Sequence, residues 1–445
     1  MSHPLLTTPI GRSLLTLAGP TTAFMVVQIL VVLAEVWLVA RLGREALAAF
    51  AIAYPLIVFV MNVSSGGLGG AVAAAMARAL GSGRLDDARA LVLHTVVLAA
   101  GFGAACTLFA WTVAPQLYRL LGGEGSVLRL VRDFSDVWFS GVVLVWGVNF
   151  LSAVLRGGGN AALPARIGFA GTLVYLPLAF VLTLGVGQWP GLGLMGVAIA
   201  GLTSSSLCLV LQLRALWGGV LGFTPGLAGV GFQRRLFGEI LGVGLAASVA
   251  TLLGNLNAIV LTGLVGPFAT AALAAMSICA RLENMMGAIA YGIGTGMTTL
   301  IGIAAGAGAW ARAVRVAWIG SLIAAAAIGT VGVAIALLAG SWSRLFSSDA
   351  DVVAASIAYL TRVAPFLFLY GLGLSLHFAS QGAGRMKVPM LAISARFAVA
   401  SGGGWLAIEV LGLGLDGVFW AIGAGVVAYG GVMGGALLLR PWRAR

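Results

Sequence analysis

Long apolar segments at regular intervals constrain this chain more than any other feature of its sequence. Twelve can be marked, and most have the 18 or more residues that let a helix cross a hydrocarbon layer of about 30 Å. A β-barrel would show alternating segments of about ten residues, which the sequence lacks. We therefore expect an all-α integral membrane protein. The predicted spans are 15–40, 47–77, 91–114, 135–155, 166–187, 192–213, 238–263, 270–303, 316–340, 354–379, 391–411 and 417–438.

Composition supports the same class. Hydrophobic residues make up 60% of the 445 residues and charged residues 9%, which no soluble fold accommodates. The net charge is +12, but the basic residues are scattered over short loops and Lys387 is the only lysine. We therefore expect the lipid bilayer as the surroundings and no nucleic-acid partner. The three cysteines lie in apolar segments, so no disulfide framework is predicted.

Basic residues also predict the orientation. If the N-terminus is cytoplasmic, 17 basic residues face the cytoplasm and 7 face outward, with Arg281 in or near a span. Arg385, Lys387 and Arg396 are on the cytoplasmic side in this assignment, and Arg362 is on the outer side. The positive-inside rule thus favours cytoplasmic termini in a multi-pass membrane protein. We expect its location to be the bacterial cytoplasmic membrane.

An internal repeat organises the chain. The stretch "LRGGGNAALPA" (155–165) matches "SQGAGRMKVPM" (380–390) at an offset of 225, and "LYRLLGGEGSV" matches "WSRLFSSDADV" at the same offset. We predict two halves, 1–220 and 221–445, each a lobe of six helices. Because six is even, the lobes are expected to be related by a pseudo-twofold axis along the membrane normal. Two such lobes around a central cavity suit alternating-access transport.

Two predicted spans contain glycine clusters. The second span includes "SSGGLGG" and the eighth includes "YGIGTG", and both spans exceed the usual length. Either cluster is compatible with a bend or with close helix packing, because small residues let helix backbones approach in lipid.

The sequence argues against an enzyme. Lys387 is not part of a Walker A loop, and the two Gly-x-Gly-x-x-Gly matches, at 191–196 and 412–417, each open a membrane span. The histidines are too far apart for a His-Glu-x-x-His zinc site, and no Gly-x-Ser-x-Gly elbow occurs. We expect no cofactor and no dedicated metal site.

Acidic residues inside the spans are the strongest functional candidates. Glu35 stands within "VVLAEVWLVA" with no basic residue beside it before Arg41. A charge at the centre of a bilayer costs about 2.5–3.5 kcal/mol on insertion scales, so such a group is neutralised, paired or hydrated. A carboxyl group in this position can carry a proton or exchange it for a cation; the alternative is a structural hydrogen bond between helices.

Further candidates lie in the C-terminal half. Glu283 is compatible with an anchoring pair with Arg281 or with a cavity site. Asn255 and Asn257 lie near the repeat equivalent of Glu35. Three roles are open for them: lining a cavity, binding Na⁺ through a carbonyl oxygen, or forming hydrogen bonds between helices. An unperturbed histidine side chain has a pKa of about 6.5, which suits a proton relay. The alternative for His377 is a structural role near a helix end. Candidates for an apolar binding cavity include Tyr54 and Met286.

These features together resemble the multidrug and toxic compound extrusion (MATE) family of antiporters. The resemblance covers about residues 12–438 and rests on the two six-span halves, on "LRGGGN" and "SQGAGR", on "GLGLMGVAIA", and on "ARLENMMGAIAYGIGTGMTTLIGIAAGAG". In that family an acid in the first span, usually Asp, serves the coupling cation. The segment "LVVLAEVWLVARLG" looks like that span, which implies that Glu35 is the coupling acid.

This chain departs from the family pattern in two places. Leu176, in "VYLPLAF", stands where relatives carry Asp in an "LDPLF"-like stretch, and the seventh-span acid of other branches is replaced near Asn255 and Asn257. Glu35 would then have fewer partners. The candidates for its hydrogen bonds are Gln28, Asn149 and Tyr175.

The resemblance implies a secondary active antiporter that exports amphipathic, cationic small molecules such as drugs, toxins or metabolites. H⁺ is the preferred coupling ion, because Na⁺ wants several oxygen ligands and Glu35 has few acidic neighbours; Na⁺ near Glu35 is the alternative. A flippase for lipid-linked or polysaccharide precursors is a rival function within the same superfamily, which further spans or a large basic cavity would favour. A membrane-embedded enzyme or receptor is a third. A monomer is expected, because one chain supplies both lobes.

Overall fold

The computed structural model describes residues 4–226, 231–268, 270–439 and 442. Regular structure in these residues is helical, apart from one isolated bridge between Val186 and Trp189. The α-helices are α1 (Ile10–Ala40), α2 (Arg44–Asn62), α3 (Leu68–Gly81), α4 (Leu85–Thr112), α5 (Ala114–Leu120), α6 (Gly125–Ser140), α7 (Val142–Gly157), α8 (Ala162–Leu184), α9 (Leu194–Trp217), α10 (Arg234–Val265), α11 (Thr270–Gly306), α12 (Trp310–Leu337), α13 (Ala339–Arg344), α14 (Ala350–Val363), α15 (Leu367–Gly382), α16 (Lys387–Phe397), α17 (Gly403–Glu409) and α18 (Gly414–Leu439). Short 3₁₀ helices occupy Pro4–Leu6 and Ala364–Phe366, and π-helices occupy Val63–Gly67 and Ala398–Gly402.

Most of this helical chain is built to cross a membrane. Eleven helical stretches of the described residues are long and apolar enough to do so. The pair α6 and α7, bent by 47° at Gly141, makes up to twelve if it counts as one span. Every predicted span falls on one of these stretches. The predicted all-α membrane fold is therefore confirmed.

The two glycine clusters have different structures. In "SSGGLGG", the π-helix Val63–Gly67 joins α2 to α3, so the long second span changes its helical winding there. In "YGIGTG", α11 continues without a break from Thr270 to Gly306. A Cβ on Gly294 would collide with the ring of Phe378 in α15. One glycine cluster thus contains a change of helical winding, and the other contains a close helix contact.

Packing divides the chain into two compact units. The N-terminal unit is Ala23–Gly244, and the C-terminal unit is Met1–Thr22 with Leu245–Arg445. These two units are defined by which residues pack together. The predicted halves, 1–220 and 221–445, are defined by the internal sequence repeat. The position of the repeat boundary therefore stays a prediction.

Each unit has its own apolar core. The core of the N-terminal unit includes Phe50, Phe134 and Tyr175. The core of the C-terminal unit includes Tyr359 and Phe419, whose rings meet edge to face with centroids 5.3 Å apart. Tyrosines thus bring hydroxyl groups into both cores, and a buried tyrosine hydroxyl usually finds a polar partner.

One close helix contact occurs in both units at positions 225 residues apart. In the N-terminal unit, a Cβ on Gly157 of α7 would lie 2.9 Å from the Cα of Ala73 in α3. In the C-terminal unit, a Cβ on Gly382 of α15 would lie 3.0 Å from the Cα of Thr298 in α11. Gly157 and Gly382 are the matched glycines of "LRGGGN" and "SQGAGR". The repeat therefore shares glycine here because the helix backbones touch.

This contact makes a prediction about stability. We expect Gly157→Ala and Gly382→Ala each to destabilise the protein by about 1–3 kcal/mol, because the added methyl group meets backbone that cannot rotate away. Thermal unfolding of the purified protein in detergent measures the effect. Gly101→Ala in α4 is the control, since its Cβ would meet nothing within 4 Å. Equal unfolding temperatures for all three variants would contradict the argument.

Candidate functional site

In the N-terminal unit, a tyrosine hydroxyl group holds the carboxyl group of Glu35. Glu35 lies near the end of α1, and its side chain is half-buried. The buried Tyr175 of α8 donates a hydrogen bond from its hydroxyl to Glu35 Oε1 over 2.5 Å. No Lys or Arg of the described residues forms an ion pair with Glu35. This acid therefore depends on a neutral donor, and a hydrogen bond to a charged group contributes about 1.5–3 kcal/mol.

Gln28 and Asn149 were the other predicted partners of Glu35, and the structure gives them different contacts. Gln28 lies about two turns before Glu35 on the same face of α1 and accepts a hydrogen bond of 3.4 Å from the Thr172 hydroxyl. Asn149 donates a hydrogen bond of 2.7 Å to the Ser64 hydroxyl in the π-helix. Both amides join helices of the N-terminal unit. Within the described residues, Tyr175 is the candidate that reaches the acid.

The surroundings of this contact are apolar. Tyr54 of α2 is half-buried, and its ring lies 5.5 Å from that of Phe50, centroid to centroid. Both rings pack in or against the core that contains Tyr175. Leu176, at the position where the resembling family carries an acid, lies about 100° around α8 from Tyr175 and is 37% exposed. The face of α8 towards Glu35 thus carries the phenol of Tyr175. The next residue, Leu176, is aliphatic and provides no second acid.

A second glutamate–tyrosine pair lies in the C-terminal unit. Glu283 of α11 accepts a hydrogen bond of 2.6 Å at Oε1 from the Tyr359 hydroxyl of α14. Its Oε2 lies 3.6 Å from Nη2 of Arg396. The structure thus pairs Glu283 with Arg396 and not with Arg281. The guanidinium of Arg281 lies instead over the ring of Phe346, 5.6 Å from its centroid.

Arg396, one of the basic residues predicted to be on the cytoplasmic side, lies inside a spanning helix. It follows the start of α16 at Lys387 by about 14 Å along the helix axis. Its side chain is 15% exposed, and its guanidinium lies 5.1 Å from the ring centroid of Tyr370. Residue 396 also falls within the predicted span 391–411. A cation inside an apolar segment is a functional candidate by itself, and this signal identifies Arg396 without the structure.

Three further candidates lie along the helices of the C-terminal unit. Asn257 of α10 is buried and accepts a hydrogen bond of 3.0 Å from the Ser401 hydroxyl. Its carbonyl oxygen is therefore engaged in helix packing. Asn255 is half-buried two residues earlier. Met286 is 1% exposed and belongs to the apolar core, so its side chain does not line an open space in this structure.

His377 lies in α15 of the C-terminal unit and is 9% exposed. Its Nδ1 atom has no hydrogen-bond partner in the described part of the chain. None of the ion pairs among the described residues joins it to an acid. The relay role of His377 stays a prediction.

The two units differ in chemistry at the position of Glu35. At the repeat offset of 225, Glu35 and Tyr175 correspond to Val260 and Ala400, which are both apolar. The C-terminal unit places its acid on α11 and adds an arginine. Among the described residues, no group of three His, Cys, Asp or Glu side chains could hold a metal ion. Each site is therefore one carboxyl group with a phenol, and one of the two has a guanidinium as well.

The chain is similar in sequence to a known family and to proteins of other organisms. A family model described as MatE matches residues 20–181 and 246–402. A protein of Deinococcus radiodurans named probable multidrug resistance protein NorM is 27% identical over 451 residues, covering 96% of this chain and 95% of that protein. A protein of Shewanella oneidensis named FAD transporter is 26% identical over 362 residues, covering 79% and 77%.

Solved structures share the fold. One is an outward-facing multidrug resistance MATE family transporter of the MOP superfamily, with a TM-score of 0.90 and 23% identity. The match covers 99% of this chain and 98% of that one. At this identity the likeness concerns the arrangement of helices, and the chemistry must be argued from the side chains of this chain.

Proposed function

The chain belongs to the MatE family of multi-pass membrane transporters, which are not enzymes, and we propose that it exchanges its substrate for protons at Glu35. The proposed substrates are amphipathic, cationic small molecules. The observation that supports this most directly is the contact of a half-buried glutamate with one phenol and no basic partner among the described residues. Such an acid keeps its affinity for cations, because no arginine or lysine of the described residues forms an ion pair with it.

Exchange follows if proton and substrate compete for one carboxyl group. The carboxylate accepts the hydrogen bond of Tyr175 and attracts a substrate cation. The protonated group has lost that charge and releases the cation. Since each ligand weakens the binding of the other, the coupling is reciprocal and its sign suits antiport. Protonation also removes the cost of holding a charge inside an apolar segment. That cost is at most about 2.5–3.5 kcal/mol, because this range applies to the bilayer centre and Glu35 lies near the end of α1.

The geometry favours H⁺ over Na⁺. A proton needs one basic oxygen, whereas hard cations such as Na⁺ take several oxygen ligands. In the described contacts, Glu35 has the Tyr175 hydroxyl as its neighbour, and the Gln28 carbonyl oxygen is engaged about two turns away. Two oxygen-bearing side chains make a poor cage for a metal cation and an adequate site for a proton.

The test is to impose one gradient at a time on wild-type protein in vesicles. We expect a ΔpH to drive efflux of a fluorescent cationic dye, and a Na⁺ gradient at uniform pH to leave the flux at the level of empty vesicles. Protein-free vesicles and a protonophore control for passive leakage. Flux that follows Na⁺ alone would keep the family and overturn the proposed ion.

Arg396 favours a second candidate, the export of anionic compounds with flat rings. An arginine in a spanning helix, loosely paired at 3.6 Å and seated on Tyr370, offers a carboxylate or phosphate a strong partner beside an aromatic face. The Shewanella relative is named a transporter of FAD, which has this chemistry. Vesicles loaded with FAD in place of the dye decide between the two substrate classes.

The remaining expectations are also proposals. We place the protein in the bacterial cytoplasmic membrane with both termini in the cytoplasm, and expect it to act as a monomer. The flippase alternative gains no support from the number of spans, because the described residues provide at most twelve spanning stretches.

A further inference from the structure

A cavity of about 780 Å³ lies within the C-terminal unit at one end of its helices. Its wall combines the last turns of α15 and α18 with the first turns of α12 and α16. All four of these helix ends belong to the membrane face that the basic residues predict to be cytoplasmic. The volume is within the range of about 300–1,000 Å³ that is usual for small-molecule sites.

The rim of this cavity is positively charged. Arg385 and Lys387 line it, and Lys387 is exposed at the start of α16. The N-terminus of α16 has no side-chain cap, so its first amides add to the positive end of the helix dipole. No acidic residue lines the cavity among the described residues. The rim therefore selects a negatively charged group.

The depth of the cavity is apolar and lies at membrane level. Leu376, Met433 and Leu437 form part of its wall, and each belongs to a helix long enough to cross the bilayer. Trp310 lines the cavity too, with the Arg385 guanidinium 4.9 Å from its ring centroid. Tryptophan is enriched where a membrane meets water, so this rim belongs at the headgroup level. The ligand must then be charged at one end and apolar at the other.

We propose that this cavity binds one anionic phospholipid, with its phosphate between Arg385 and Lys387 and its acyl chains against Leu376, Met433 and Leu437. Basic pockets between spanning helices on the cytoplasmic side are suited to such headgroups. A soluble phosphate compound would use the rim and leave the apolar wall exposed. The lipid satisfies both parts of the site.

The experiment counts bound lipid on the purified full chain by native mass spectrometry. Dioleoyl phosphatidylglycerol and dioleoyl phosphatidylcholine are titrated separately. We expect one tightly held phosphatidylglycerol and no matching phosphatidylcholine. The double variant Arg385→Gln/Lys387→Gln should weaken the phosphatidylglycerol by about 30-fold, since each basic group near a membrane surface contributes about fivefold.

Two further variants separate this site from general charge and from misfolding. Arg84→Gln/Arg89→Gln removes two exposed charges from the same predicted membrane face, far along the chain, and should leave the affinity within twofold. Ala436→Phe fills the cavity and keeps both charges, and it should also expel the lipid. Three results would overturn the proposal. The two lipids could bind equally well, or the Arg84/Arg89 control could lose as much lipid affinity as the Arg385/Lys387 variant. Free inorganic phosphate could also compete with the lipid while Ala436→Phe keeps its lipid affinity.

Discussion

Replacing Glu35 by glutamine is expected to lower ΔpH-driven efflux at least about 100-fold, the scale on which the loss of one proton-transfer group is usually felt. Glutamine keeps the size of the side chain and still accepts the hydrogen bond from Tyr175. It cannot take up or release a proton at physiological pH. Flux from vesicles loaded with dye, under an imposed ΔpH, measures the loss.

Matched variants show whether this loss reflects coupling. Glu45→Gln, an exposed carboxylate in the first turn of α2, removes the same charge and should leave the flux unchanged. Tyr175→Phe should reduce the flux about tenfold in the wild-type background and add little to Glu35→Gln, because its hydroxyl acts through the acid. Proton-driven efflux that survives in Glu35→Gln would place the coupling site elsewhere in the chain.

The second large effect that we expect is a loss of stability when Arg396 is replaced. Replacing it by glutamine leaves Glu283 without its cationic partner inside a spanning region, and breaking a buried ion pair costs about 3–5 kcal/mol. We expect about 2–4 kcal/mol here, because Glu283 is 28% exposed and the pair is 3.6 Å long. Unfolding of the purified protein in detergent measures this cost.

The double variant Glu283→Gln/Arg396→Gln tests the origin of the effect. It removes both charges together, so it should recover more than half of the stability lost in Arg396→Gln. Arg281→Gln, two residues from Glu283 on α11, is the control and should have little effect, since Arg281 is exposed and its guanidinium lies over Phe346. Additive losses in the double variant would mean that the two side chains act independently.

The spanning helices could be read from the sequence because their signal is long and local. Each needs about 20 apolar residues in a row, and the structure places a helical stretch on every predicted span. The winding of the second span could not be read in the same way. The "SSGG" of "SSGGLGG" lies in the π-helix, where Asn149 donates a hydrogen bond to Ser64, whereas "YGIGTG" lies in a regular α-helix; glycine content is the same kind of signal in both segments and does not distinguish them.

The candidate site was predictable in its acid and less so in its partners. Glu35 is visible because a single charge interrupts an apolar segment. Its hydrogen bond to Tyr175 joins residues 140 positions apart. The sequence therefore offered several polar residues as possible partners of Glu35, and only the structure distinguishes between them. Arg396 was counted with the cytoplasmic basic residues to predict the orientation, although it lies within a predicted span, so its pairing was not predicted. A charged residue within a predicted span should therefore be considered in two ways: as evidence for the orientation of the chain, and as a possible partner of an opposite charge inside the membrane.

The lone lysine has a practical consequence. Lys387 is the only ε-amino group in the chain, it is exposed, and it lies at the rim of the cavity in the C-terminal unit. An amine-reactive fluorophore used at high pH, with the terminal α-amine blocked, therefore labels a single known position without any engineered cysteine. Labelling removes the charge of Lys387, so the emission of that dye reports on changes in the surroundings of the rim rather than on binding of the lipid phosphate.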